Sequence, residues 1–193
     1  MKQSDERVLY YGLSDEKQEA LLLSLLADLG VRARQVRQSD LKKTVENLAG
    51  YNAVDAFSGD EAIEVSTAPA DSILVMAGLS DTRINELLTG IRQTAGLSIA
   101  LKAVLTEHNR SWTFAALAAE LRQEHALMQL FMALQQVVRQ AEQQLNKPGQ
   151  AVDRQRIQDA VRRAQQVLTA AQQGDVDSEK MTALGREIAG LLD

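Results

Sequence analysis

The chain repeats itself. Shifted by 66 residues, the stretch from Val8 to Val36 falls on residues 74–102 without a gap and with seven identities. Gly12, Leu13, Ser14 and Asp15 meet Gly78, Leu79, Ser80 and Asp81; Leu21 and Leu22 meet Leu87 and Leu88; Gly30 meets Gly96. Most other apolar positions match in kind. Both copies spell an apolar strand, a Gly-Leu-Ser-Asp turn, an amphipathic helix, a glycine stop and a second strand. One β-α-β run has too little area to bury both faces of its two strands. Two copies side by side give about four strands with helices to cover them.

Within the first copy, RVLYYGL from Arg7 to Leu13 has the β-branched, aromatic and aliphatic character of a strand. Ser14 offers an N-cap, with Asp15 and Glu16 in the first helical turn, where the helix dipole favours negative charge. Ala20, Leu22, Leu23, Leu25, Leu26 and Leu29 then form a wide apolar helical stripe, which Gly30 closes. Val31 to Val36 reads as a second strand, and Ser39 with Asp40 as the start of a helix through Leu48, ended by Gly50. The second copy, Ser72 to His125, reads as strand, helix, strand, helix. Each crossover is expected to be right-handed. The connection over 51–71 is polar, Ala-rich and carries Pro69; it is either a loop or holds an edge strand over Ala62 to Ser66.

Past the second copy the pattern changes. A helix opening near Ser111 meets no breaker until Asn146-Lys147-Pro148-Gly149, well beyond the usual ~11 to 12 residues. Leu127, Phe131, Leu134, Val138, Ala141 and Leu145 follow alternating steps of four and three, a heptad seam. Ile157, Val161, Ala164, Leu168 and Ala171 repeat those steps, and Met181, Leu184, Ile188 and Leu191 mark a third, short helix. The expected architecture is therefore α/β. A duplicated β-α-β-α unit forms a roughly four-stranded, mainly parallel sheet with covering helices, followed by a C-terminal helical hairpin or three-helix bundle. The domain spans 1–125 (repeat one 7–50, linker 51–71, repeat two 72–125), and 126–193 is a helical arm continuous with its last helix.

Composition closes off several function classes. The absence of cysteine removes disulfides, thiolate chemistry and Cys-based zinc sites. The net charge is −5, with 13 basic against 18 acidic residues up to Leu127 and 8 against 8 beyond it, so neither part attracts a phosphate backbone by bulk charge. No run of 18 apolar residues occurs, and the first residues lack the pattern of a cleaved leader. A cytoplasmic setting without membrane contact is the expectation.

The segment LKAVLTEHNRSW, Leu101 to Trp112, followed by AALAAELRQEH, resembles an uncharacterised bacterial family, the domain of unknown function numbered 3783. Lys102, Ala103, Val104, Thr106, Asn109, Trp112, Glu124 and His125 carry the likeness. The upstream copy, with VRQSDLKKTVENLAG, looks like the N-terminal partner of such a domain, so the resemblance spans about 7–125. It implies a fold unit in a bacterial cytoplasmic protein and brings no activity with it.

Candidate sites are few. Lys102 lies opposite Leu101 and Ala103 in strand alternation; in a sheet covered on both faces its ammonium marks a pocket, whereas on an edge strand it reaches water. Thr106, His108, Asn109 and Arg110 follow at the strand's carboxyl end, where parallel sheets place ligands; the plainer reading makes Asn109 and Ser111 turn and cap residues and Trp112 an anchor. Glu120 and Glu124 share a helix face, but His125 is rotated from it, so no metal site is expected. Arg32, Arg34, Arg37, Lys42 and Lys43 form the strongest basic cluster, without interleaved aromatics for base stacking. No cofactor motif is present.

The sequence therefore favours a non-enzymatic interaction or scaffold protein. Its helical arm would self-associate or bind a protein partner through Leu127, Phe131, Leu134, Val138, Leu145, Ile157, Val161 and Leu168. The alternative is a small-ligand or anion-binding protein with a pocket near Lys102, and nucleic-acid binding through the basic cluster ranks below both.

Overall fold

The computed structural model describes residues 6–13, 15–51, 71–146 and 154–192. The chain divides into two compact units, Met1–Arg122 and Gln123–Asp193. The first is built on a four-stranded sheet in the order β2-β1-β3-β4, with β1 Arg7–Tyr11, β2 Arg32–Gln35, β3 Ile73–Ala77 and β4 Leu101–Val104. β1 and β2 run parallel, as do β3 and β4, while the central pair β1 and β3 is antiparallel. Two of three pairings are parallel, and the expected α/β class with about four strands holds. The possible strand over Ala62 to Ser66 lies outside the described residues.

The central pairing is centred on the repeat itself. Leu9 lies opposite Val75, its own equivalent at a shift of 66, and the register closes symmetrically with Arg7 opposite Ala77 and Tyr11 opposite Ile73. Each half is thus rotated onto the other about an axis through the Leu9/Val75 pair. The shift does not survive to the second strands: Arg32 pairs with Arg7 while Leu101 pairs with Ile73, a shift of 69. The gapless frame read through Val36 therefore breaks between Gly30 and Arg32, the second half carrying three extra residues after Gly96.

Both faces of the sheet are covered. On one, Val8, Tyr10, Leu74 and Met76 pack with Leu22 and Leu26 of α1 (Glu16–Asp28) and Leu87 and Ile91 of α3 (Asp81–Gln93). On the other, Leu9, Tyr11, Ile73, Val75 and Ala77 pack with Val45 and Leu48 of α2 (Val45–Ala49) and with Phe114, Leu117 and Ala118 from the start of α4 (Phe114–Leu145). Strands buried on both sides need the near-continuous apolar runs that β1 and β3 have.

Several local starts differ from the sequence reading. Ser14 lies outside the described residues; Asp15 is the cap of α1, its carboxylate accepting from the Lys17 amide at 2.9 Å. The helix expected from Ser39 to Leu48 is a single 3-10 turn, Gln38–Asp40, followed by the short α2. Asp40 turns its carboxylate back to the Arg37 amide at 3.1 Å, which satisfies the backbone locally and caps the start of that turn. Thr44 then caps α2 by accepting from the Asn47 amide. In the second half Thr113, rather than Ser111, accepts from the Ala116 amide and opens α4.

The second unit is a three-helix bundle formed by α4 from Gln123 onward, α5 (Arg154–Gln172) and α6 (Ser178–Leu192). Its core joins Leu134, Val138 and Ala141 to Ile157, Ala160, Val161, Ala164 and Leu168 and to Met181, Leu184 and Ile188. The third helix makes it a bundle rather than a hairpin.

Candidate functional site

The turn after β4 is held by its own side chains. The Thr106 amide donates to Asn109 Oδ1 at 2.8 Å, and Asn109 Nδ2 donates to the Val104 carbonyl at 3.0 Å. Arg110 donates to Glu46 at 2.7 Å and to both oxygens of Glu107 at 2.8–2.9 Å, and these two carboxylates raise its pKa, the Glu107 hydrogen bonds most. His108 sets its ring edge-on to Trp112, 5.2 Å between centroids, while Trp112 packs against the α2/α4 core. The structure thus brings Thr106, Asn109 and Arg110 together as a braced turn, with the cationic group already engaged by two anions.

Lys102 lies on the edge strand β4 with its side chain exposed, and its ammonium donates to the Ile99 carbonyl. Partial burial of the amine lowers its pKa. It is the edge-strand placement that the alternation allowed.

Two cations of the basic cluster are engaged within the chain. Arg34 donates to the Leu48 carbonyl at 2.9 Å and Lys43 pairs with Asp40 at 3.0 Å, while Arg32, Arg37, Lys42 and Lys43 are all exposed. Glu120, Glu124 and His125 are all exposed, and His125 engages Gln129 at 2.7 Å. Among the described residues no group of three or more His, Asp or Glu could hold a metal ion.

The seam residues of the arm are core. Leu134, Val138, Ile157, Val161 and Leu168 are buried between the three helices, with Phe131 and Leu145 packed at the margins. Leu127 is half-buried. A face turned to the chain's own core is not open to a partner, so the heptad steps report intramolecular packing. What the sequence reading missed lies on another side of α4. Met128 and Met132, one turn apart, are 58% and 60% exposed. Their helical line continues through Glu124, Gln135 and Arg139, with Glu124 and Arg139 exposed. The signal was present as a second apolar step, overshadowed by the stronger Leu/Val seam.

By its fold this is a two-part α/β protein: a sheet unit with internal two-fold pseudosymmetry, followed by a helical bundle. Residues 72–128 match the model of a family described as Domain of unknown function (DUF3783). The match covers the second half of the sheet unit and the start of the bundle's first helix, and leaves residues 7–71 outside it. No curated protein and no solved structure matches the chain. No helix among the described residues is long and apolar enough to cross a membrane.

Proposed function

We propose that this protein is a non-catalytic scaffold that self-associates through the exposed line of α4 from Glu124 to Arg139. The observation that carries the reading is the pair Met128 and Met132, exposed on a helix whose other apolar side is already covered. Long, flexible thioether side chains suit a contact surface that must pack without preformed pockets. A second copy is the partner best matched to the charges. When α4 lies antiparallel on its own copy, centred between Phe131 and Met132, Glu124 of each chain faces Arg139 of the other, the two Met132 side chains meet at the middle, and Met128 faces Gln135.

The alternative of an anion pocket near Lys102 draws less support, because Arg110, the strongest cation of that turn, is neutralised by Glu46 and Glu107. Sedimentation velocity across concentration tests the scaffold reading. Wild type is expected to shift from monomer to dimer, and Met128→Glu/Met132→Glu to stay monomeric with an unchanged circular dichroism spectrum. Glu124→Arg should weaken association and Glu124→Arg/Arg139→Glu restore it. A chain that is monomeric at every concentration, or a charge swap that restores nothing, overturns the proposal.

A further inference from the structure

The backbone hydrogen bonds that join α2 and α4 and the turns before them come in pairs with the halves exchanged. The Val45 amide donates to the Trp112 carbonyl at 2.9 Å, and the Phe114 amide to the Lys43 carbonyl at 3.0 Å. The Glu46 amide donates to the Arg110 carbonyl at 3.0 Å, and the Ala115 amide to the Leu41 carbonyl at 2.9 Å. Thr44 and Thr113, the caps of α2 and α4, form an antiparallel bridge with each other. Even the turns agree: Asp40 accepts from the Arg37 amide as Asn109 accepts from the Thr106 amide. All of these pairs are related by the shift of 69 that relates β2 to β4. Above them, β1 and β3 pair about Leu9 and Val75. A contact in which one surface meets its own equivalent about a two-fold axis is the isologous kind that joins identical subunits.

We infer that residues 7–49 are a second, diverged copy of the domain matched only at 72–128. The seam along β1 and β3 is then a dimer interface drawn into one chain, and it remains able to receive the corresponding half of a second copy of this chain. Either half alone would leave one side of its central strand without ladder partners, and β1 and β3 are buried almost throughout. That requirement is met equally by the other half of the same chain or of another. The tether decides between them by raising the local concentration of the partner in cis.

The geometry of the tether supplies the test. Gly50 approaches the Arg7 guanidinium at the start of β1, whereas the Asp71 carbonyl approaches Gly12, just past its end. Residues 52–70 therefore run from a point beside the Arg7 side chain to the far end of β1, a strand of five residues and roughly 17 Å. Deleting residues 52–70 from the full chain leaves neighbouring Cα atoms only about 3.8 Å apart. The halves can then no longer pair in cis and are left to pair in trans. The experiment is run in the Met128→Glu/Met132→Glu background, so that association through α4 does not enter.

The deletion chain is expected to sediment at twice the monomer mass with the circular dichroism spectrum of the parent. A folded monomer overturns the inference. Should the deletion chain aggregate, a second measurement decides. Two differently tagged forms of the undeleted chain are unfolded together and refolded together at rising concentration. Mixed-tag dimers that increase with concentration, and that do not form when the native proteins are simply mixed, support the exchange of halves. Absence of mixed-tag dimers after joint refolding overturns it.

Discussion

Tyr10 shows how much one side chain can tie together. It is buried, and its hydroxyl donates to Glu19 of α1 at 2.7 Å, while Gln35 of β2 donates to the same carboxylate at 3.1 Å. Burial first, then the hydrogen bond and charge of Glu19, push the phenol from 10.0 up to about 12. The raised value sets the sign. The contribution to stability is fully present below pH 10.0 and is lost as pH rises towards about 12, by at most about 2–3 kcal/mol. Urea titrations at pH 9 and pH 11.5 check it: the wild type should weaken over this window, and Tyr10→Phe should weaken less. A Tyr10→Phe chain with the full wild-type loss would show that the phenol is not responsible. Neither the Glu19 bond nor the turn role of Asp40 was legible in the sequence, because short polar side chains announce a cap without saying which amide they face. The pairing of halves does make Asp40 interpretable. Asn109 fills its place in the other half, so Asp40→Asn should cost no more than a surface ion pair, about 0.5 kcal/mol, and Asp40→Ala about 1 kcal/mol in chemical denaturation.

At the level of elements, the two halves differ most in where their last helix ends. α2 stops at Ala49, and Gly50 follows at φ 77°, where an added Cβ would collide with the Arg7 guanidinium. Arg7 and Arg34 donate to the Ala49 and Leu48 carbonyls, satisfying the helix end from the strands beside it. In the second half the positions equivalent to Arg7, Arg34 and Gly50 are Ile73, Ala103 and Ala119, which neither cap nor turn the chain, and α4 continues to Leu145. The glycine stop was readable from the sequence alone; the arginine caps were not, since they reach across from other strands. Gly50→Ala is expected to lose about 1–2 kcal/mol from the left-handed conformation, with a further loss from displacing Arg7. Thermal denaturation checks it, and a variant within a few tenths of a kcal/mol of wild type would show that the helix end carries no such constraint.

For the whole molecule, the duplication was legible because the Gly-Leu-Ser-Asp turn, two helix leucines and the closing glycine recur at one shift of 66. The antiparallel centre was not, because a strand buried on both faces reads the same in either direction. The heptad steps predicted a helical hairpin or a three-helix bundle but could not say whether the seam faced the chain itself. That distinction rests on α6, whose Met181, Leu184 and Ile188 close the third side. Each unit therefore holds its own core: one built around Leu9, Val75 and Phe114, the other around Leu134, Ala164 and Ile188. Units with separate cores open separately, since deleting buried atoms from one removes packing only from the elements that share it. Leu134→Ala is expected to cost about 2–5 kcal/mol within the bundle. In hydrogen exchange read by mass spectrometry, amides of α5 and α6 should lose protection while those of β1 and β3 keep it. Val75→Ala should do the reverse. If either substitution lowered protection in both units alike, the chain would have to unfold as one cooperative body, and the division into two cores would carry no energetic meaning.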